Sequence, residues 1–319
     1  MSEVFAPRVS IVIPVYNGSN YLREAIDCAL AQTYPDVEVI VVNDGSRDNG
    51  ATEAIALSYG NRIRYFPKEN GGVSSALNLG IRNMTGDYFS WLSHDDKYTP
   101  EKVENSVQYL SSFDSREKRI ALCGACYINE RSEKIRDMEF DFQKGHIYES
   151  REVLHYLLTH GVLDACCMLI PKTAFAECGY FNEDLRYNQD ALMWYQIFSR
   201  GYSLVVDPQQ RDVMYRLHAN QTSKTRRDLL IRDSLEMAKI IAPSFAAQSS
   251  REIPLLRLFA RRNARQYCVA AAEECIRVGK QAGIFGTGDV CYVRIWLMLG
   301  CLRNFLKRIY HRLVFTKRG

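Results

Sequence analysis

Three places in the 319-residue chain put acidic, basic or cationic side chains where chemistry could follow. The first is Gly86-Asp87-Tyr88-Phe89-Ser90-Trp91-Leu92-Ser93-His94-Asp95-Asp96, a turn, then a short apolar and aromatic run, then two adjacent carboxylates. A buried strand with an acidic pair at its carboxyl end is how an open α/β sheet presents charge to a crevice. Like charges side by side repel, so the pair is costly unless a cation joins them. A divalent metal with oxygen ligands fits that need. Helix capping is the competing explanation, but Thr99 already fills the cap position ahead of Pro100. The second place is Asp190, set to open a helix with Met193, Trp194, Ile197 and Phe198 on its apolar face. A carboxylate there can cap the helix, or sit at a fixed helix start facing the sheet edge. The third is Asp212–His218, where strand alternation puts Arg216 and His218 on one face. The pair is either structural or a site for diphosphate or metal, and imidazole suits Mn²⁺ somewhat better than Mg²⁺.

The surrounding pattern alternates strand and helix. Val9–Val15 and Val37–Val42 are β-branched runs of the kind buried on both faces of a parallel sheet. Helical spacing covers Tyr21–Gln32, roughly Gly50–Tyr59, and Val73–Met84, with a strand at Arg62–Phe66. That order predicts a doubly wound α/β sheet. Beyond the acidic pair the pattern predicts a helix at Glu101–Leu110, strands at Ile120–Ile128 and Cys166–Ile170, a helix over 150–160, and strands at Tyr202–Asp207 and Asp212–His218. Polar residues gather after the strands, at Tyr16-Asn17, Asp44 and Asp95-Asp96, on the edge where such folds bind nucleotides. No G-x-x-x-x-G-K-[ST] and no G-x-G-x-x-G follows the first strand, which argues against a P-loop or dinucleotide site. Carboxylates plus an aromatic suit a nucleoside: Tyr16 to stack on a base, Asp44 to accept from a base N–H, Asp95 for a metal on the diphosphate.

Val9–Asn17, the Asn43-Asp44-Gly45-Ser46 turn, Asn70–Gly80 with Asn78-Leu79-Gly80, and Trp91–Asp96 together resemble glycosyltransferase family 2, the inverting nucleotide-sugar transferases of the GT-A fold. The resemblance implies a GT-A domain over 1–223 (Rossmann-like, α/β, with a mostly parallel central sheet) and a helical C-terminal region over 224–319. It implies a divalent cation, Mn²⁺ or Mg²⁺, held through Asp95 and His218. It further implies nucleotide-sugar contacts from Pro14, Tyr16, Asn17, Asp44, Asn78, His94, Asp95 and Arg216, with Asp190 as the general base. The reaction would move a sugar, commonly from a uridine diphosphate, to an acceptor hydroxyl on a glycan or lipid-linked acceptor in surface polysaccharide or glycolipid assembly. The chain departs from the family pattern at three positions. Ser93 stands at the first Asp of the D-x-D motif, so a ribose contact is lost or taken by His94. Gln189 replaces the first member of the acidic doublet before the helix, and Leu77 stands where many members carry Arg. A non-catalytic nucleotide-sugar-binding or scaffold protein is the alternative these departures keep open.

The net charge of +4 is unevenly placed: residues 291–319 hold seven Lys/Arg and no Asp or Glu, leaving 34 basic against 37 acidic residues before them. That argues against nucleic-acid binding by the body and for an anionic surface met by the tail. Ile295, Leu299, Leu302, Leu306, Ile309 and Leu313 form one apolar stripe at helical spacing, widened by Trp296, Met298 and Phe305. Arg303, Lys307, Arg308 and Arg312 flank it. An interfacial helix over about 290–315, lying on anionic lipid, is the expectation; docking on its own domain or pairing in a dimer are the alternatives. No span of ~18 uncharged apolar residues occurs, so none is expected to cross a membrane. Met1–Ser10 has no apolar leader pattern, and the ten cysteines are expected as reduced, buried thiols, Cys123 and Cys126 included. The expected location is cytoplasmic, peripheral on the inner face of the membrane.

Overall fold

The computed structural model describes residues 5–113, 117–161, 163–219, 227–249, 254–266 and 268–315, without the side chains of 227–228 and 303–315. Two compact units emerge: Met1–Val153 with Val162–Thr225, and Leu154–Gly161 with Arg226–Gly319. The sequence pattern did not anticipate that 154–161 group with the C-terminal helices.

The first unit begins β1 (Val9–Val15), α1 (Leu22–Leu30), β2 (Val37–Asp44), α2 (Ala51–Leu57), β3 (Arg64–Lys68), α3 (Val73–Asn83) and β4 (Tyr88–Trp91). It continues β5 (Lys97–Tyr98), α4 (Lys102–Ser111), β6 (Arg119–Ile128), β7 (Lys134–Asp137) and β8 (Ile147–Tyr148), followed by α5 (Ser150–Thr159), which from Leu154 onward belongs to the second unit. Then come β9 (Met168–Pro171), α6 (Thr173–Cys178), α7 (Gln189–Ser199) and β10 (Ser203–Arg216). The helical unit holds α8 (Arg227–Gln248), α9 (Leu255–Arg265), α10 (Val269–Gln281) and α11 (Thr287–Phe315).

The strand order is β3-β2-β1-β4-β9-β6-β10-β5, with β7 beside β6 and β8 beside β10. Pairing is parallel across β3-β2-β1-β4 and between β6 and β10; β9 runs antiparallel to both β4 and β6. All seven residues of β1 are buried, as its mostly apolar, β-branched run requires in a parallel sheet, and its one polar side chain, Ser10, is hydrogen-bonded. The approach of α3 depends on Gly80, because a Cβ there would lie 2.4 Å from Val12 Cγ1. Leu77, at the position where Arg was expected from the resemblance, is fully buried in that packing.

At the opposite edge from the site, Glu38 ties the sheet together. It accepts from Ser10 Oγ, Thr85 N and Oγ1, Gly86 N and Arg64 Nη1. Burial alone would raise its pKa, but these donors outweigh it and hold the carboxyl down to about 2.

Several elements differ from the sequence pattern. The acidic pair does not end β4 but lies in a tight turn beyond it, closed by Asp96 N–H donating to Ser93 O at 3.1 Å. Thr99 makes no side-chain cap; its hydroxyl donates to Asp212, and α4 begins at Lys102. The two strands expected over 202–218 are one strand whose register against β6 shifts around Arg211. Amphipathic spacing over 255–283 is broken into α9 and α10.

In the helical unit, Met237, Ala238, Ile241 and Phe245 of α8 and Leu255, Phe259, Ala260 and Ala264 of α9 make the core, with Phe245 and Phe259 edge to face at 5.4 Å. Helix α11 buries Val290, Val293 and Leu297, and Gly300 lets it approach the Ala264 carbonyl, which a Cβ would meet at 2.6 Å. Ile295, Met298, Leu299 and Leu302 remain exposed, at 46–65%. Leu306, Ile309, Leu313 and the basic residues from Arg303 onward fall outside the described side chains.

Candidate functional site

Successive connections from β1 lead away through β2 and β3, while β4 lies on its other flank, so the sheet parts at the carboxyl ends of β1 and β4. Such a split is where open α/β sheets receive ligands. Pro14 helps to make it. The Val12 carbonyl accepts from Leu92 N–H, so Pro14, two residues on, faces the same side after β4 has turned away. Its missing donor costs nothing there. Pro14 itself is buried, so it shapes the rim and offers no side-chain hydrogen bond.

Tyr16 follows at 44% exposure, an aromatic face open to a planar partner. Asn17 is spent on the loop: in a left-handed turn (φ 50°), its N–H donates to Ser46 Oγ and its side-chain oxygen accepts from Arg47 N. Gly18 is obligatory because a Cβ would lie 2.3 Å from His94 Cδ2. The His94 ring therefore seats against this turn, and burial first, then the nearby His218, lowers its pKa against the pull of Asp95.

Asp44 is 3% exposed and its two carboxylate oxygens are occupied. Oδ1 accepts from Lys68 Nζ (2.7 Å) and Gly71 N (2.9 Å); Oδ2 accepts from Gly72 N (2.7 Å) and Asn70 Nδ2 (3.1 Å). A carboxylate has about four lone-pair sites, so a base N–H could bind Asp44 only by displacing one of these donors. Asp44 thus clasps the Asn70-Gly71-Gly72 loop. Arg186 Nη1 donates to the Gly71 carbonyl, tying that loop to the segment leading into α7.

Two expected ligand contacts are corrected by burial. Asn78 is 1% exposed, and its amide exchanges hydrogen bonds with Phe181 N–H and O and reaches Glu183 Oε1 (2.8–2.9 Å). It pins the loop before α7 and cannot reach a nucleotide sugar. Arg216 is also fully buried, so its guanidinium is not available to a diphosphate. Its Nε donates to Asp95 O (2.8 Å), Nη1 to Asn129 O, Glu130 O and Ser132 Oγ (3.1 Å each), and Nη2 to Glu24 Oε2 (3.2 Å).

Asp95 and His218 are brought together, with Oδ2 and Nε2 2.8 Å apart and both side chains partly exposed. Asp96 is 3% exposed, held between the Arg216 N–H (2.9 Å) and the Cys166 thiol (3.6 Å). Burial, then the charges of Asp95 and Asp164, raises its pKa well above the usual carboxylate range. Asp164 was missed in the sequence; it accepts the Cys166 N–H at 2.9 Å and sits close enough to couple with both acids. A hard oxygen beside an imidazole nitrogen fits Mn²⁺ or Mg²⁺ as a partial donor set. Among the described residues no group of three or more His, Cys, Asp or Glu side chains could hold a metal ion.

Asp190 stands in the first turn of α7, half-buried, with Oδ1 accepting from Ala191 N at 2.7 Å. The helix starts one residue earlier than the pattern indicated, behind Asn188, which makes no side-chain cap bond. Its base is fixed by Trp91, Phe181 and Trp194 packed edge to face. Beside it, Gln189 Oε1 is buried without a hydrogen-bond partner.

Residues 10–179 match the sequence pattern of glycosyl transferase family 2. An uncharacterized glycosyltransferase of Rickettsia prowazekii (strain Madrid E) is 46% identical over 223 residues, 70% of this chain and 68% of that one. This chain belongs to glycosyl transferase family 2. It is also similar to the hyaluronan synthase of Pasteurella multocida, 46% identical over 100 residues, 31% of this chain and 10% of that protein. Among solved structures, S. aureus TarS 1–349 in complex with UDP-GlcNAc superposes with a TM-score of 0.68, covering 92% of this chain and 89% of that one at 16% identity. The fold of the glycosyltransferase is therefore GT-A-like.

Proposed function

We propose that this glycosyltransferase moves a sugar, of the N-acetylhexosamine or hexose class, from a uridine diphosphate to an acceptor hydroxyl by a single inverting displacement. The reading is carried by one observation: Asp95 and His218 converge beside the split between β1 and β4, where Tyr16 lies open. The crystallised complex of the TarS neighbour with UDP-GlcNAc supports that donor class.

Tyr16 stacks on the base, and the Asp44-braced loop borders the site. Asp190, at a fixed helix start, takes the proton of the acceptor hydroxyl as its oxygen attacks the anomeric carbon. A divalent cation held through Asp95 and His218 would offset charge on the departing diphosphate. Asp190→Asn is expected to keep UDP binding and the unfolding temperature near wild type while losing roughly 10²-fold or more in transfer rate. Release of UDP, measured over a panel of UDP-sugars with glycan and lipid-linked acceptors, checks this. Near-normal turnover would return Asp190 to a helix-stabilising role, and no turnover by the wild type with any donor would favour a binding or scaffold role.

The acceptor is read as a lipid-linked or glycan intermediate in surface polysaccharide or glycolipid assembly, met at the inner face of a membrane. Support comes from α11: its docked face is Val290, Val293 and Leu297, while the exposed Ile295, Met298, Leu299 and Leu302 lie on the other. Among the described side chains, self-docking therefore leaves Ile295, Leu299 and Leu302 of the predicted stripe exposed. The charge is complementary to anionic lipid, since residues 226–319 hold 18 Lys/Arg against 7 Asp/Glu, and residues 1–225 hold 23 against 30. Among the described residues no helix is long and apolar enough to cross a membrane.

A further inference from the structure

A fully buried arginine two residues before a site histidine needs an explanation, because a buried charge is costly unless paired and hydrogen-bonded. Arg216 meets both conditions. Its main-chain N–H donates to Asp96 Oδ1 and its Nε to the Asp95 carbonyl, so one residue grips both members of the acidic turn. The guanidinium lies 4.3 Å from the centre of the Tyr21 ring, and Tyr21 in turn stands 5.8 Å from the His218 ring. Behind it, the carbonyls of Asn129 and Glu130 converge from the turn between β6 and β7. Asn129 shapes that turn by accepting the N–H groups of Arg131 and Glu133.

Glu24, from the first turn of α1, completes the arrangement. Its Oε2 accepts from Arg216 Nη2, Ser132 Oγ (2.7 Å) and Lys97 Nζ (3.1 Å). Burial would raise its pKa, but the Ser132 and Lys97 hydrogen bonds and the Arg216 and Lys97 charges lower it. The result is a brace of Glu24, Ser132 and Arg216 joining α1, the β6–β7 turn and the end of β10 to the acidic turn. A planar fork is needed to serve carbonyls, a hydroxyl and a carboxylate at once; an ammonium cannot span them.

We propose that Arg216 is a positioning residue of the cation site: it contacts neither the diphosphate nor the cation, and holds Asp95 and His218 at their mutual distance through the Glu24–Ser132 brace. This rests on the cation-assisted reading above. Residues behind metal ligands typically change metal affinity about 10–100-fold when replaced.

The test is calorimetric binding of UDP, once in chelator and once in saturating Mn²⁺, to the whole chain and to Arg216→Lys, Glu24→Gln and Ser132→Ala, with unfolding temperatures recorded. Affinity in chelator is expected within roughly twofold of wild type for all three, while the gain on adding Mn²⁺ falls roughly tenfold or more in Arg216→Lys and severalfold in Glu24→Gln. Should Arg216→Lys fail to fold, Glu24→Gln and Ser132→Ala, at the more exposed end of the brace, carry the test. Weakened UDP binding in chelator by Arg216→Lys, with Glu24→Gln silent, would make the arginine a direct diphosphate ligand and overturn the proposal. So would an unchanged Mn²⁺ gain in every variant. Wild-type chain with no Mn²⁺ gain would reject the cation reading first, and this inference with it.

Discussion

Asp95 and Asp96 are neighbours in sequence and opposites in environment. Asp95 reaches His218 at a partly exposed edge; Asp96 points inward to the Arg216 N–H and the Cys166 thiol. Asp95→Asn should abolish cation-dependent turnover of a UDP-sugar with little change in unfolding temperature. Asp96→Asn should retain most activity, because an amide oxygen can accept the same Arg216 N–H. Turnover against Mn²⁺ concentration separates them; equal losses would mean that both acids serve the cation. At this scale the sequence announced residue types more reliably than their partners. Asp95 and His218 stand out in the sequence as charged or titratable residues that follow strands, and the structure brings their side chains together. Asn78 and Arg216 were misassigned because the contacts that bury them join positions 103 and 192 residues apart, beyond any local pattern.

The elements around the site are held by loops whose backbone leaves little choice. Gly72 has φ 89°, and a Cβ there would lie 2.0 Å from Arg186 Nη1. Gly72→Ala should therefore loosen both the Asp44 clasp and the Arg186 tie, weakening UDP binding and costing about 1–3 kcal/mol in stability. Gly50→Ala is the control, since Gly50 also has positive φ (79°) but nothing within 4 Å of an added Cβ. Equal effects of the two in thermal unfolding and UDP binding would show backbone strain alone. The alternation of β1 through α3 was legible from β-branched runs and helical spacing. The two-residue strands β5 and β8 were not, being too short to carry a period and existing only through their pairing with β10. The break between α9 and α10 was hidden as well, because apolar spacing continues across it while the Cys268 N–H turns back to the Asn263 carbonyl.

For the whole molecule, the opposed charges of the two units and the uncovered face of α11 lead to one measurement. The intact chain should sediment with anionic vesicles at low salt and be released as salt screens the contact. Met298→Glu with Leu302→Glu alters only exposed positions and should leave the chain in the supernatant at unchanged unfolding temperature. If the wild type also stays in the supernatant, the stripe is a protein interface. The sheet order bears in addition on how the chain is made. Strands β1 to β4 come from contiguous sequence, but β4 gains its second neighbour only when β9 arrives about 80 residues later, and β10 later still. At roughly 5–20 residues per second on the ribosome, the nascent amino-terminal half waits several seconds with one flank of β4 unpaired. An open strand edge of that kind can template pairing with another chain. Synthesis of this transferase therefore passes through an interval of aggregation risk that ends when the antiparallel strand at 168–171 closes the seam.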